Sequence, residues 1–123
     1  MSKLNHANLP VPDVAALRDF FVQHFDFTVL TMRGDNAFAV LRGSDGFILN
    51  IMRDTKSNGF PENFHVGFFL DTPDAVHAKH AQMSTAGLEP GPIEDMTRGG
   101  WRSLTFYVHA PNGILVEVGA AIG

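Results

Sequence analysis

A single carboxylate stands in the middle of an apolar, β-branched run in the last part of the sequence. The run is Ile114 to Val118, it follows the pair Asn112-Gly113, and its one charged residue is Glu117. An Asn-Gly pair before such a run is typical of a hairpin that leads into a strand. A carboxylate inside a buried strand is unfavourable unless a cation or a hydrogen-bond donor meets it. The sequence therefore predicts a partner for Glu117.

The same pattern occurs earlier in the chain. The segment Asp45 to Ile51 aligns without a gap with Asn112 to Val118, so that Asn50 corresponds to Glu117. Internal repeats of this kind indicate two copies of one supersecondary unit. We therefore expect Asn50 and Glu117 on equivalent strands.

Two histidines also hold corresponding places in the two halves. His6 and His65 each lie in an opening strand that is followed shortly by a Pro-Asp helix start. For one histidine alone, a hydrogen-bonded core or rim residue is the simpler interpretation, and Glu117 alone could be paired with an arginine or exposed on an edge strand. Together, two imidazoles and one carboxylate on equivalent strands form a facial triad that suits a divalent first-row metal with open coordination positions. We predict a metal site of His6, His65 and Glu117 for Fe, Mn, Ni, Co or Zn, without preference among them.

Hydrophobic periodicity and turn signals predict the elements that position these residues. Each half shows strand, helix, strand, strand, strand, which gives an α+β fold of two βαβββ modules. Pro10 and Pro12 are expected to end the first strand. The first half is predicted to contain a strand at 4–9, a helix from 14 to about 25, and strands at 27–32, 37–41 and 47–52. The second is predicted to contain a strand at 64–70, a helix at 73–86, and strands at 93–97, 103–109 and 114–118.

Length and composition limit the possible organisation and partners. The 123 residues suffice for one domain, with a first module at 1–54, a linker at 55–63 and a second module at 64–123. A net charge of -4 without a Lys/Arg cluster argues against nucleic acid or an anionic membrane as the partner. Without cysteine there is no disulfide or thiolate site. No signal-like or spanning apolar stretch is found, so we expect a cytoplasmic protein with small-molecule or protein partners.

The opening segment Leu4 to Asp13, the closing segment Phe106 to Val118 and the two βαβββ halves resemble the vicinal oxygen chelate superfamily. This superfamily includes glyoxalase I, fosfomycin-resistance thiol transferases, bleomycin-resistance proteins and extradiol dioxygenases. The resemblance covers essentially the whole chain. It implies an incomplete eight-stranded barrel whose concave face holds a metal that chelates two adjacent substrate oxygens, and it places His6, His65 and Glu117 on the metal positions.

The resemblance also suggests roles for two further residues. Asn50 occupies the place where glyoxalase I enzymes carry a fourth ligand, but an amide is a poor ligand and cannot serve as a base. We therefore expect substrate or water near Asn50. Tyr107 lies ten residues before Glu117, where fosfomycin-modifying enzymes and dioxygenases often place a substrate-contacting tyrosine. This implies a catalytic role for Tyr107 and Glu117; for Tyr107 the alternative is a half-buried sheet aromatic.

Spacing adds other residues to the expected substrate pocket. Asn8 and Phe69 lie at even spacing from His6 and His65, so regular alternation puts them on the same face as those histidines.

A glycine pair in the second half has arginines on both sides. Arg98, Trp101 and Arg102 flank Gly99-Gly100, and these three residues could form a lid or an anion contact over the pocket. The simpler alternative is an ordinary glycine turn with arginines that reach into solvent.

Three classes of function remain open at this point. The first is an enzyme whose metal acts as a Lewis acid on a small oxygen-chelating substrate, by lyase or isomerase, thiol-transfer or ring-cleavage chemistry. The second is a metal-free protein that sequesters an aromatic or cationic drug, as bleomycin-resistance members do; a regulator with a vestigial site is a third reading. The resemblance also implies pairing of two chains, so we predict a homodimer with two equivalent sites.

Overall fold

The computed structural model describes residues 2–56 and 58–122 and contains the predicted element order twice. The α+β class with two βαβββ units is therefore confirmed. The first set is β1 (His6–Val11), α1 (Val14–Phe25), β2 (Thr28–Arg33), β3 (Phe38–Arg42) and β4 (Ile48–Arg53). The second set is β5 (His65–Phe69), α2 (Pro73–Thr85), β6 (Glu94–Arg98), β7 (Trp101–His109) and β8 (Leu115–Ala121). The contacts divide the chain into two compact units, Met1–Gly59 and Phe60–Gly123.

The first unit is a four-stranded sheet with α1 packed on one face. The strand order is β1-β4-β3-β2, in which β1 runs parallel to β4 and the other pairs are antiparallel. Asp13 caps α1 by accepting a hydrogen bond from the Ala16 amide at 3.0 Å. The apolar stripe of α1 is buried on the sheet, because Leu17 and Phe21 have no exposed surface.

The first strand differs from the prediction, because β1 continues through Pro10 to Val11. The carbonyl groups of Asn5 and Val11 accept hydrogen bonds from β4 and the residue after it, each at 2.9 Å. Backbone groups alternate in direction along a strand, so the nitrogen of Pro10 points away from β4, toward the open side of an edge strand. A proline is tolerated there because no ladder bond is lost.

The second unit repeats this arrangement with strand order β5-β8-β7-β6, and β5 is parallel to β8. Thr72 caps α2 by accepting a hydrogen bond from the Ala75 amide at 3.1 Å. The helix covers one face of the sheet and buries Val76 and Met83 completely. The strands β7 and β8 extend beyond their predicted limits, because the turn between β6 and β7 has only two residues and small residues continue β8.

Of the helices in residues 2–56 and 58–122, neither α1 nor α2 has the length and apolar character needed to span a bilayer.

Candidate functional site

The face of the second sheet opposite α2 carries the predicted site residues His65, Tyr107 and Glu117. Glu117 on β8 pairs in register with Tyr107 on β7 and with Gly67 on β5. Because side chains alternate along a strand, His65, two residues before Gly67, shares this face. The intervening residues Val116 and Val118 point to the α2 side and are fully buried. The structure therefore brings His65, Tyr107 and Glu117 together.

Three side chains surround one oxygen of the Glu117 carboxylate. The Tyr107 hydroxyl donates to Oε1 at 2.5 Å, and the Nη1 group of Arg98 donates to the same oxygen at 3.3 Å. A second guanidinium nitrogen, Nη2 of Arg98, donates to the Tyr107 oxygen at 2.8 Å. The Nε2 atom of His65 lies 3.9 Å from Oε1. The charge of Glu117 thus has a cation and a hydroxyl as partners.

The orientation of the His65 ring is set by the backbone. Its Nδ1 atom lies 3.0 Å from the carbonyl oxygen of Asn63. A carbonyl can only accept, so Nδ1 carries the proton and Nε2 keeps its lone pair when the ring is neutral. The ring also stands edge-on to Tyr107, with centroids 6.0 Å apart. The nitrogen that faces Glu117 is therefore the one suited to bind a metal, as is usual for ligand histidines held by a second oxygen.

In the first unit, the Nδ1 atom of His6 also lies beside an oxygen acceptor, as that of His65 does. The Nδ1 atom of His6 lies 2.7 Å from the side-chain oxygen of Asn5, which leaves Nε2 as the free acceptor. On the same face of that sheet, Asn8 and Asn50 are register partners across β1 and β4. The Asn8 amide donates to the sulfur of Met52 at 2.9 Å. In the first unit an amide pair thus stands where the second unit has Gly67 and Glu117.

The donor atoms of the second unit fit a divalent metal. Imidazole nitrogen and carboxylate oxygen are donors that such ions accept. Two donors that each bind a metal at about 2.0–2.2 Å are at most about 4.4 Å apart, and the 3.9 Å between His65 Nε2 and Glu117 Oε1 satisfies this limit. Within the described residues no three His, Asp or Glu side chains form a group that could hold an ion. The full site of His6, His65 and Glu117 stays a prediction.

The protonation of Tyr107 follows from its surroundings. Burial is the main cause that raises the pKa of Tyr107 above its ordinary value, and the hydrogen bond to Glu117 raises it further. Arg98 acts in the opposite direction on the pKa of Tyr107, but the net shift is upward. The hydrogen bond to Tyr107 is the main cause that raises the pKa of Arg98. At neutral pH the group beside Glu117 is thus a neutral phenol and a charged guanidinium.

Arg102 does not join this group. It lies on the opposite face of β7, where its Nε atom donates to Asp95 of β6 at 3.0 Å. This hydrogen bond is the main cause that lowers the pKa of Asp95.

Two exposed aromatic side chains lie on the Glu117 face. Phe69 and Trp101 are 62% and 45% exposed, and their ring centroids lie 5.0 Å apart. The predicted pocket residues of the second unit thus lie on two different faces, with Phe69 and Trp101 on the Glu117 face and Arg102 on the α2 side.

An arginine partner for Glu117 is one of the alternatives that the sequence leaves open, but the sequence does not identify Arg98 as that partner. The available signal is the pair Gly99-Gly100, because a two-residue turn with positive φ at both positions fixes the hairpin register. The observed φ values are 56° and 79°, and Arg98 pairs with Trp101. This register puts Arg98 and Trp101 on one face and Arg102 on the other.

Gly67 leaves space beside the carboxylate. A Cβ atom placed at Gly67 would lie 3.6 Å from Oε2 of Glu117, which is ordinary contact distance. Because it has no side chain, Gly67 places only backbone atoms next to Oε2.

Comparison with known proteins gives a consistent result. A family model described as the Glyoxalase/Bleomycin resistance protein/Dioxygenase superfamily matches residues 3–118. The solved structure of a possible glyoxalase from Bacillus cereus is 36% identical, with a TM-score of 0.83, and the match covers 96% of this chain and 98% of that one. A comparison with curated proteins finds no match.

Two more distant structures share the fold. A genomically encoded fosfomycin resistance protein from Listeria monocytogenes is 19% identical, with a TM-score of 0.76 over 99% of this chain and 95% of that one. A lactoylglutathione lyase from Agrobacterium tumefaciens is 16% identical, with a TM-score of 0.76 over 98% of this chain and 94% of that one.

Proposed function

Because the chain belongs to the glyoxalase/bleomycin resistance protein/dioxygenase superfamily, we propose that it is a divalent-metal-dependent enzyme acting on a small substrate with oxygen donors. Members of this superfamily act on small molecules and typically use divalent metals. The observation that supports the proposal most directly is the pair His65 Nε2 and Glu117 Oε1, 3.9 Å apart on one sheet face. His6 is the proposed third ligand.

The residues of the chain have distinct proposed roles. A bound Fe, Mn, Ni, Co or Zn ion supplies Lewis acidity toward a carbonyl, enolate, phosphonate or epoxide oxygen. Glu117 offers its carboxylate oxygens as a ligand, and His65 offers Nε2. Tyr107 keeps its proton on Oη at neutral pH and donates a hydrogen bond from there, toward Glu117 or toward a substrate oxygen. Lyase or isomerase and thiol-transfer reactions use oxygen polarisation of this kind, and ring cleavage would need dioxygen as an oxidant in addition.

The proposed substrate pocket adds side chains from both units. It comprises Asn8, Asn50, Phe69 and Trp101, without Arg102, because Arg102 lies on the α2 side of the sheet and pairs with Asp95. Of these, Phe69 and Trp101 offer exposed apolar surface on the Glu117 face, which suits the body of a substrate whose oxygens bind at the metal.

We further propose that the protein is a cytoplasmic homodimer with two equivalent sites. Light scattering at micromolar concentration should give twice the mass of the 13.4 kDa chain. A mass of one chain would contradict the dimer.

The test of the enzyme proposal is metal binding by protein purified without a chelator. We expect a bound divalent ion by elemental analysis and a thermal shift with Mn, Co, Ni or Zn after chelator treatment. Glu117→Gln and His65→Ala should each lose both signals. His77→Ala, at an exposed position of α2, is the matched control and should keep them. Absence of any bound ion and of any thermal shift in the unmodified protein would refute a metal-dependent enzyme.

A second candidate function is metal-free binding of a small aromatic or cationic molecule. It is favoured by the contacts of Arg98 and Tyr107, which satisfy Glu117 with protein donors, and by the exposed Phe69-Trp101 pair. Trp101 is the one tryptophan of the chain, so its fluorescence reports on this surface. In chelator-treated protein, quenching by an aromatic ligand that persists in Glu117→Gln would support sequestration over metal catalysis.

A further inference from the structure

Arg98 binds the same carboxylate oxygen that faces the metal-binding nitrogen of His65. Oε1 of Glu117 lies 3.3 Å from Nη1 of Arg98 and 3.9 Å from Nε2 of His65. We propose that Arg98 is a built-in competitor of the metal ion for Glu117, so that this guanidinium sets the metal affinity of the site. The inference rests on the proposed function, because it concerns the same ligands.

The physical basis is the placement of two cations at one carboxylate. A divalent ion held by His65 and Glu117 shares Oε1 with the guanidinium of Arg98, and like charges at this distance repel each other. Tyr107 already donates a hydrogen bond to the same oxygen. Oε1 therefore cannot interact at full strength with Tyr107, Arg98 and a metal ion at the same time. Binding of the ion thus weakens the contact of Arg98, and by linkage Arg98 weakens binding of the ion.

The surroundings of Arg98 allow this competition without blocking the site. Its side chain is 53% exposed, so the guanidinium has solvent into which it can move. Its second contact, from Nη2 to the Tyr107 hydroxyl at 2.8 Å, holds it beside the carboxylate when no ion is present. An ion pair this exposed is weak, which predicts a moderate change in affinity and not an all-or-none effect.

The same hairpin provides a matched control. Arg102 is 57% exposed and forms an ion pair with Asp95, so it resembles Arg98 in residue type, exposure and pairing. It lies on the opposite face of the sheet, away from Glu117. A substitution at Arg102 therefore removes the same net charge without altering the carboxylate.

The experiment measures binding of Mn²⁺ and of Zn²⁺, each alone, by titration calorimetry of chelator-treated, dialysed protein. We expect Arg98→Gln to bind each ion about three- to tenfold more tightly than the unmodified chain, and Arg102→Gln to bind as the unmodified chain does. Arg98→Lys keeps the charge but lacks the fork that reaches two oxygens, so its affinity should lie between. Glu117→Gln in the Arg98→Gln background should lose the binding.

The outcomes separate this inference from the proposed function. If the unmodified chain binds the ions and Arg98→Gln binds them no more tightly, the competition is refuted and the metal site stands. An equal gain in Arg98→Gln and Arg102→Gln would refute it too, because the effect would then be one of net charge. If no variant binds either ion, the proposed function is refuted together with the inference. Thermal unfolding without metal verifies that each variant is folded.

Discussion

Arg98 and Arg102 stand four positions apart in one hairpin, yet they extend to opposite faces of the second sheet. Arg98 contacts Tyr107 and Glu117, whereas Arg102 pairs with Asp95. The two-residue turn between β6 and β7 produces this difference, because a shift of register by one residue would exchange the faces. The length of one turn thus decides which positive charge meets the candidate metal ligand.

The ionisation of Tyr107 can be measured directly, because it is the one tyrosine of the chain. We expect the tyrosinate absorbance to titrate with a midpoint above pH 10.0, since burial and the hydrogen bond to Glu117 raise the pKa. Glu117→Gln should lower the midpoint, and Arg98→Gln should raise it. Because the folded-state pKa is the higher one, the free energy of unfolding should decrease as the pH rises through it. A midpoint below that of free tyrosine would contradict the contacts described.

Two strand glycines should respond very differently to alanine. A Cβ atom at Gly119 would lie 2.9 Å from Oγ1 of Thr105 and 3.2 Å from the carbonyl oxygen of Leu104. Gly119→Ala should therefore lower the free energy of unfolding by about 1–3 kcal/mol. A Cβ atom at Gly67 would have no neighbour closer than 3.6 Å. Gly67→Ala should therefore change the free energy of unfolding by less than about 1 kcal/mol. Denaturant unfolding of both variants measures the difference; equal losses would contradict the packing.

The pair of Asp95 and Arg102 should contribute stability only above acid pH. The hydrogen bond from Arg102 lowers the pKa of Asp95 below its ordinary value. A carboxyl group with a lowered folded-state pKa stabilises the fold above its unfolded pKa, and this contribution is lost as the pH falls through the folded value. We expect the melting temperature of Asp95→Asn to lie slightly below that of the unmodified chain at neutral pH and to converge with it in acid. A difference that is independent of pH would argue against the ion pair.

The core of the first unit depends on Phe21. Its side chain is fully buried, and its ring centroid lies 5.5 Å from that of Phe20 and 5.6 Å from that of Phe27. Phe21→Ala should lower the free energy of unfolding by about 3–5 kcal/mol, because it removes a fully buried ring and leaves a cavity among its neighbours. The adjacent Val22 is 39% exposed, and Val22→Ala should cost less than about 1 kcal/mol. Urea unfolding of the two variants tests the contrast.

The order of elements and part of the candidate site could be predicted from the sequence. Periodicity and the internal repeat fix which segments are strands, and alternation along a strand places His65 and Glu117 on one face once their strands are neighbours. The resemblance suggests a substrate-contacting role for Tyr107, but the sequence does not indicate its hydrogen bond to Glu117. These predictions depend on patterns that are local in the chain or repeated in it.

The extent of β1 and the contact of Arg98 could not be predicted, because both depend on how strands pair in the folded sheet and not on the local sequence pattern. The strand β1 continues through Pro10 because this residue directs its nitrogen to the open edge of its sheet, and edge position is a property of the sheet. The contact of Arg98 depends on the register across the Gly99-Gly100 turn. The hydrophobic pattern alone would allow either Arg98 or Arg102 to lie on the Glu117 face.

The two units differ at one pair of equivalent positions, where the first unit has Asn8 and Asn50 and the second has Gly67 and Glu117. In the first unit Asn8 extends from β1 and donates to Met52, whereas in the second Gly67 leaves the side of Glu117 open. A glutamate at position 50 would face Val40 on β3, whereas Glu117 faces Tyr107 on β7. The asymmetry is thus distributed over three neighbouring strands, and a single substitution at position 50 does not make the two halves equivalent.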